Sequence, residues 1–206
     1  MMTTPFRTDL EIGDTAAFPW LEQALAMRRD GVDPLGSIRD LQIWMLRELS
    51  RSVPVNVAWC GLVVGTALHR AGIADRAPFP EVRARPWLGF GQACEPQMGA
   101  IMVFWTIHPC SPFGHVGFCV GQDAGAYHIL GGNQYDSIDI ARWPRKRLLD
   151  CRWPLHGPAP AGIVRRCTSE QALPFQYERL DEGMARIRRM LARHAVFPGR
   201  RQTPDP

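Results

Sequence analysis

The sequence predicts an α+β domain, with helices first and an antiparallel sheet after them. Three observations carry this expectation. Apolar residues recur at a spacing near 3.6 in segments that end by Gly72. After Gly99 the period changes to that of strands. The strand-like runs then follow one another as a meander, with no helical pattern between them.

Residues 1–13 read as a loose arm. Asp14 is a candidate cap for a first helix through Trp20, Leu21, Ala24, Leu25 and Met27, which Asp30-Gly31 stops. Ser37 begins a second helix through Ile38, Leu41, Trp44, Met45 and Leu49, which ends near Val53-Pro54. Residues 57–69 form an apolar run that closes at Ala71-Gly72. They read as a buried helix with Cys60 in its first turn. The stretch 78–99 reads as loop with a short helix near 83–92. Strands are expected at Ala100–Trp105, Val116–Val120, Ala126–Leu130, Ile138–Ala141 and Leu148–Trp153. The turn at 122–125 joins the second and third of these. Three prolines and two glycines in 154–168 mark a domain edge. The chain therefore divides into a domain over 14–155 and a C-terminal helical extension over 156–206. In that extension Leu180, Met184, Ile187 and Leu191 share one helix face among arginines. The tail from Pro198 is expected to be disordered.

The bulk numbers fit that division. A chain of 206 residues holds one domain and an extension, and 46% hydrophobic content supports a core. The formal net charge of +4 favours an anionic surface without selecting one. The 24 basic residues are all arginine except Lys146, and they are not interleaved with aromatics as in a nucleic-acid module. None of the six cysteines forms a C-x-x-C pair, so a zinc knuckle is not expected. Irregular spacings in a chain of this size imply no disulfide framework, and reduced cysteines are the simpler reading. Residues 1–14 lack the apolar core of a secretory signal, and no apolar run is long enough to insert in a membrane.

Cys60 is the first candidate for chemistry. A thiol at a helix start feels the dipole and unpaired N–H groups, which favour thiolate. The same groups can hold an oxyanion, and Gly61 permits close approach of a substrate. Position alone equally allows a buried structural cysteine. His115, in Gly114-His115-Val116-Gly117-Phe118, opens a strand after a glycine-containing loop. It is expected at a sheet edge, where it can act as a base or simply lie on the surface. The stretch 127–134 brings Asn133 and His128 as candidates to orient an imidazole. A simple loop asparagine is the other reading of Asn133.

In order, Ala58-Trp59-Cys60-Gly61, the run Gly99–Trp105, Gly114–Phe118, Leu130-Gly131-Gly132-Asn133-Gln134 and the closing Trp153-Pro154 form a set. Over Pro19 to Pro154 the chain resembles the NlpC/CHAP class of papain-like peptidoglycan hydrolases. The resemblance implies a papain-like fold with N-terminal helices packed on an antiparallel sheet. It makes Cys60 the nucleophile and His115 the general base. It favours Asn133 as third member, with His128 as the alternative. Trp59, Gly61, Gly114 and Gln134 then border the peptide. This chemistry requires neither metal nor cofactor.

The function implied is cleavage of an amide bond in cell-wall peptide. The missing signal fits an antibacterial toxin injected by a type VI secretion system. Such a toxin works in the periplasm of a target cell, with a cognate immunity protein and a secretion component as partners. The missing signal equally fits a phage endolysin. Other classes remain open: a cysteine deamidase or acyltransferase acting on an intracellular protein, or a non-catalytic binding module. Trp59, Phe104 and Trp105 are expected in the core or the cleft wall, and Cys119 in a structural role. His108 and Cys110 fall in a loop bordering the cleft, and Asp136 and Asp139 among the surface charges.

Overall fold

The computed structural model describes residues 15–29, 38–49, 58–73, 82–134 and 137–159. Three helices come first: α1 (Pro19–Arg29), α2 (Ile38–Glu48) and α3 (Cys60–Arg70). Six strands follow: β1 (Gln92–Ala93), β2 (Ile101–Trp105), β3 (Gly114–Gln122), β4 (Ala126–Gln134), β5 (Ser137–Pro144) and β6 (Leu148–Trp153). They form one sheet in the order β1-β6-β2-β3-β4-β5, and every pairing is antiparallel. The chain is α+β, as expected.

Several boundaries differ from the expectation. β3, β4 and β5 run longer, because the ladder continues through glycines and polar residues that break apolar alternation. The helix near 83–92 is a 3-10 turn, Arg85–Gly89, with a proline in its first turn. β1, with only two residues, was not foreseen. The proposed caps Asp14 and Ser37, Asp136, and the helix face of Leu180, Met184, Ile187 and Leu191 lie outside the described residues.

Helix α3 is a poor helix former by composition. Gly61, Val63, Val64, Gly65 and Thr66 all disfavour the conformation. Trp59 at its N-cap gives no side-chain cap. Burial supplies what propensity lacks, since every residue from Cys60 to Leu68 is buried. The helix packs on α1, α2, β3 and β4. Its C-terminus is well closed. Gly72 adopts φ 71° and donates to the His69 carbonyl, while Ile73 donates to Leu68. This is the paired-bond ending that a left-handed glycine allows.

Aromatic packing fastens α1 to the sheet. Phe18, Trp20 and Trp153 meet with ring centroids 5.3–5.9 Å apart. The indole N–H of Trp20 donates to the Gly99 carbonyl at 2.8 Å. At the other edge Arg28 pairs with Asp139 at 2.9 Å. Asp139 is therefore an ion-paired tie between α1 and β5 rather than a free surface charge.

The helix and the sheet meet most closely at Gly132. A Cβ there would lie 2.4 Å from Val63 Cγ2 and 2.7 Å from the Trp59 ring. Both neighbours are buried and belong to α3 or its cap. Gly132→Ala should therefore push α3 off β4 and lower stability by about 1–3 kcal/mol, the usual overpacking range. Urea denaturation measures this; an unchanged midpoint would show that the contact yields freely.

Candidate active site

The start of α3 is wedged against the sheet beside β3. The Cys60 thiol lies close enough to the backbone N–H groups of Val116, Gly61 and Cys60 itself for them to favour its ionised form. Val116 directly follows His115. The backbone of β3 beside His115 therefore lies at the thiol, but among the described residues no hydrogen bond joins the thiol to the imidazole. The side chain of Cys60 is 1% exposed and that of His115 is 4% exposed. His115 is not at a sheet edge as expected. It lies in β3, between β2 and β4 and opposite Phe104.

The imidazole has a built environment. Its ring stacks on Trp143 of β5, with centroids 4.3 Å apart and planes 5° from parallel. A Cβ on Gly131 would lie 3.2 Å from its Nε2. The two adjacent glycines of β4 therefore have separate tasks. Gly132 admits helix α3, and Gly131 leaves room for the imidazole. Nε2 of His115 is buried and has no hydrogen-bond partner. An unsatisfied buried nitrogen costs about 1–3 kcal/mol, so its retention calls for a reason.

Trp143 is itself anchored. Its indole N–H donates to Gln134 Oε1 at 2.8 Å. Gln134 Nε2 donates to the carbonyls of Ile129 and Gly131 at 3.0 and 3.2 Å, and also to that of Asp139. Gln134 is fully buried. The expectation that it borders a peptide is corrected: its polar atoms are used up in holding the end of β4 and the Trp143 ring. Sequence reasoning missed Trp143, because Arg142-Trp143-Pro144 carries no motif and only the β4–β5 pairing brings it to His115.

The two candidates for third member fare differently. Asn133 has φ 58° and sits where the β4–β5 register shifts between Gly131 and Gln134. Asparagine tolerates this left-handed conformation better than most residues. Among the described residues no hydrogen bond joins its side chain to His115. His128 lies opposite Gly121 and Arg142, at the far end of the β3–β4 hairpin. Six strand residues, roughly 20 Å, separate Gly121 from His115. His128 Nε2 instead meets Asp123 Oδ2 at 2.8 Å. Asp123 also receives Arg142 at 2.8 and 2.9 Å and the N–H groups of Gly125 and Ala126. Burial raises that carboxyl, but the bonds from Arg142, His128 and Gly125 outweigh it and hold it well below the usual range. This cluster closes the hairpin turn.

The remaining candidates border the pair. Trp59 is buried and packs on Gly132. Gly114 begins β3, and a Cβ there would lie 2.6 Å from the Phe104 carbonyl and 3.4 Å from Ala84 Cβ. The Gly61 N–H donates to the Val82 carbonyl at 3.1 Å, and Leu62 N–H to Trp59. Arg85 extends across to the Pro109 carbonyl at 2.7 Å. The segment Val82–Arg85 thus lies over the start of α3 and reaches the loop before β3. A peptide carbonyl that used the Gly61 N–H must displace Val82. His108 and Cys110 are exposed in that loop. Among the described residues no group of three or more His, Cys, Asp or Glu side chains is placed to hold a metal ion.

The electrostatics also correct the thiolate expectation. Burial pushes the Cys60 thiol up, and the N–H contacts from Val116, Gly61 and Cys60 only partly oppose it. Burial lowers the His115 imidazole from 6.5 to about 3. In this closed form the pair is a neutral thiol and a neutral imidazole. The dipole and N–H groups act as argued, but removal of water is the larger effect.

A consequence for stability follows from His115. The unfolded chain binds its proton near pH 6.5, the folded chain only near 3. Between those values the unfolded state holds more protons, so stability falls as pH drops. The slope from this one group is at most about 1.4 kcal/mol per pH unit. His115→Asn should flatten the fall of the urea midpoint in that window, while Asp123 acts only below 3.8. Parallel curves for the two proteins would exclude a neutral buried His115. No protein-family model, no curated protein and no solved structure matches this chain.

Proposed function

We propose that this chain is a papain-like cysteine hydrolase that cleaves an amide bond in the peptide of bacterial cell wall. The observation that carries the reading is the Cys60 thiol at the start of α3 beside the Val116 N–H, where the preceding residue of β3 is a buried histidine whose Nε2 has no partner. A base that is held rigidly and left without a partner suits proton transfer during a reaction. The order of motifs shared with the NlpC/CHAP class supports the same assignment.

In this mechanism His115 takes the Cys60 proton as sulfur attacks the scissile carbonyl. The tetrahedral intermediate collapses, and the imidazolium protonates the leaving amine. A water molecule, deprotonated by the same imidazole, then hydrolyses the thioester. Trp143 and Gln134 hold the ring in place. Because burial disfavours both charges of a thiolate–imidazolium pair, the reaction begins with displacement of Val82–Arg85. Substrate entry then supplies polar groups and solvent to the pair, and the Gly61 N–H becomes available to the oxyanion.

The proposal extends to delivery. The protein is a toxin carried by a type VI secretion system into the periplasm of a rival, and an immunity protein covers the cleft. The closed site gives specific support to one other reading, a non-catalytic wall-binding module that retains the hydrolase architecture.

Two measurements separate these readings. Purified sacculi incubated with the protein should yield new muropeptides by mass spectrometry. Cys60→Ala and His115→Ala should each reduce the yield by at least about a hundredfold, in keeping with loss of a nucleophile or a base. Unchanged muropeptides with retained sacculus binding would favour the binding module. Expression with a periplasmic leader should lyse cells, and cytosolic expression should leave growth intact. Killing from the cytosol would instead indicate a modifier of intracellular proteins.

A further inference from the structure

The sheet edge farthest from β5 carries a second set of thiols. β1 pairs with β6 in the register Gln92 to Trp153 and Ala93 to Arg152. One step further, the Cys94 N–H donates to the Cys151 carbonyl at 3.1 Å. Cys94 and Cys151 are therefore directly opposed residues of an antiparallel pair, and such residues project to the same side of the sheet. Both are free thiols.

This register meets the geometry of a cross-link. A hydrogen-bonded antiparallel pair has its Cα atoms about 5.5 Å apart, inside the roughly 4.4–6.8 Å that disulfides span. The Cβ atoms of such a pair must draw together by about 1 Å. β1 is suited to that movement. It is a two-residue strand at the sheet edge with a neighbour on one side only. Cys119, the other buried thiol of this region, is a poorer partner. It lies on β3, and β2 intervenes between β3 and β6. Two strand spacings put it about 9.5 Å from β6, beyond the disulfide range.

We infer that Cys94 and Cys151 form a reversible disulfide that fastens the edge strand β1 to β6. Cys94 starts the reaction, because it is the less buried of the two. Its thiolate attacks one sulfur of a small external disulfide, such as oxidised glutathione. That sulfur–sulfur bond breaks, and one thiolate leaves and takes a proton. The Cys151 thiol then loses its proton to solvent and attacks Cys94 Sγ, which expels the second small thiol. Two protein thiols are oxidised and one external disulfide is reduced to two thiols. This inference is independent of the proposed hydrolase activity, and it uses neither Cys60 nor His115.

The test is incubation of the full chain with oxidised glutathione, acid quench, intact mass measurement and peptide mapping. The expected product has lost two hydrogens and yields one cross-linked peptide joining Cys94 to Cys151. Dithiothreitol should reverse it. The oxidised form should melt higher by roughly 5–10 °C, because the bond closes a long loop. Cys151→Ala should instead retain one glutathione on Cys94, and Cys119→Ser should leave the cross-link unchanged. If the variants fail to fold, the map of the wild-type chain still decides. Glutathione held on Cys94 of the wild-type chain, untouched thiols, or a bond from Cys94 to Cys110, Cys119 or Cys167 would each overturn the inference.

Discussion

Helix α3 approaches β4 so closely at Gly132 that no side chain fits between them. Most of the site depends on that contact. It seats the first turn of the helix against β3 and places the Cys60 thiol beside the Val116 N–H. A helix rich in glycine and β-branched residues keeps its shape here because the sheet, α1 and α2 surround it. The aromatic group of Phe18, Trp20 and Trp153 then holds α1 in place from the side.

The same enclosure sets the electrostatics. A helix start with several N–H groups ordinarily lowers a thiol, and those groups are present around Cys60. Burial nevertheless dominates, and it acts in opposite directions on the two side chains, raising the thiol and lowering the imidazole. The result is a neutral thiol and a neutral imidazole, each buried. Rigid placement and a depressed imidazole are thus two outcomes of one packing arrangement. Val82 occupies the Gly61 N–H, so under the proposed mechanism an oxyanion can use that group only after the segment over it moves.

The two ends of the β3–β4 hairpin hold their histidines in different ways. At the turn, Asp123 engages Nε2 of His128, Arg142 and two backbone N–H groups, while Nδ1 of His128 is buried without a partner. At the other end, His115 is held by stacking on Trp143 rather than by hydrogen bonds, and its Nε2 is left free. Gln134 lies behind this arrangement, with its amide spent on three carbonyls and the Trp143 indole.

Much of the fold was legible in the sequence. Apolar periodicity alone locates α1, α2 and α3 to within a few residues, and the switch to alternation locates β2 and β6. The helix end at Gly72 follows from glycine chemistry, and Cys60 at a helix start and His115 on a strand were both readable. The longer strands, the edge strand β1 and the shift at Asn133 were not, because backbone pairing does not require apolar alternation. The stack of Trp143 on His115, the closure by Val82 and the opposition of Cys94 to Cys151 were not readable either. Each depends on register between segments distant in the chain, and a local pattern carries no information about register. The sequence by itself determined which residues could react. Only the tertiary structure decided their solvent exposure, and with it their charge, because desolvation is a property of what surrounds a group.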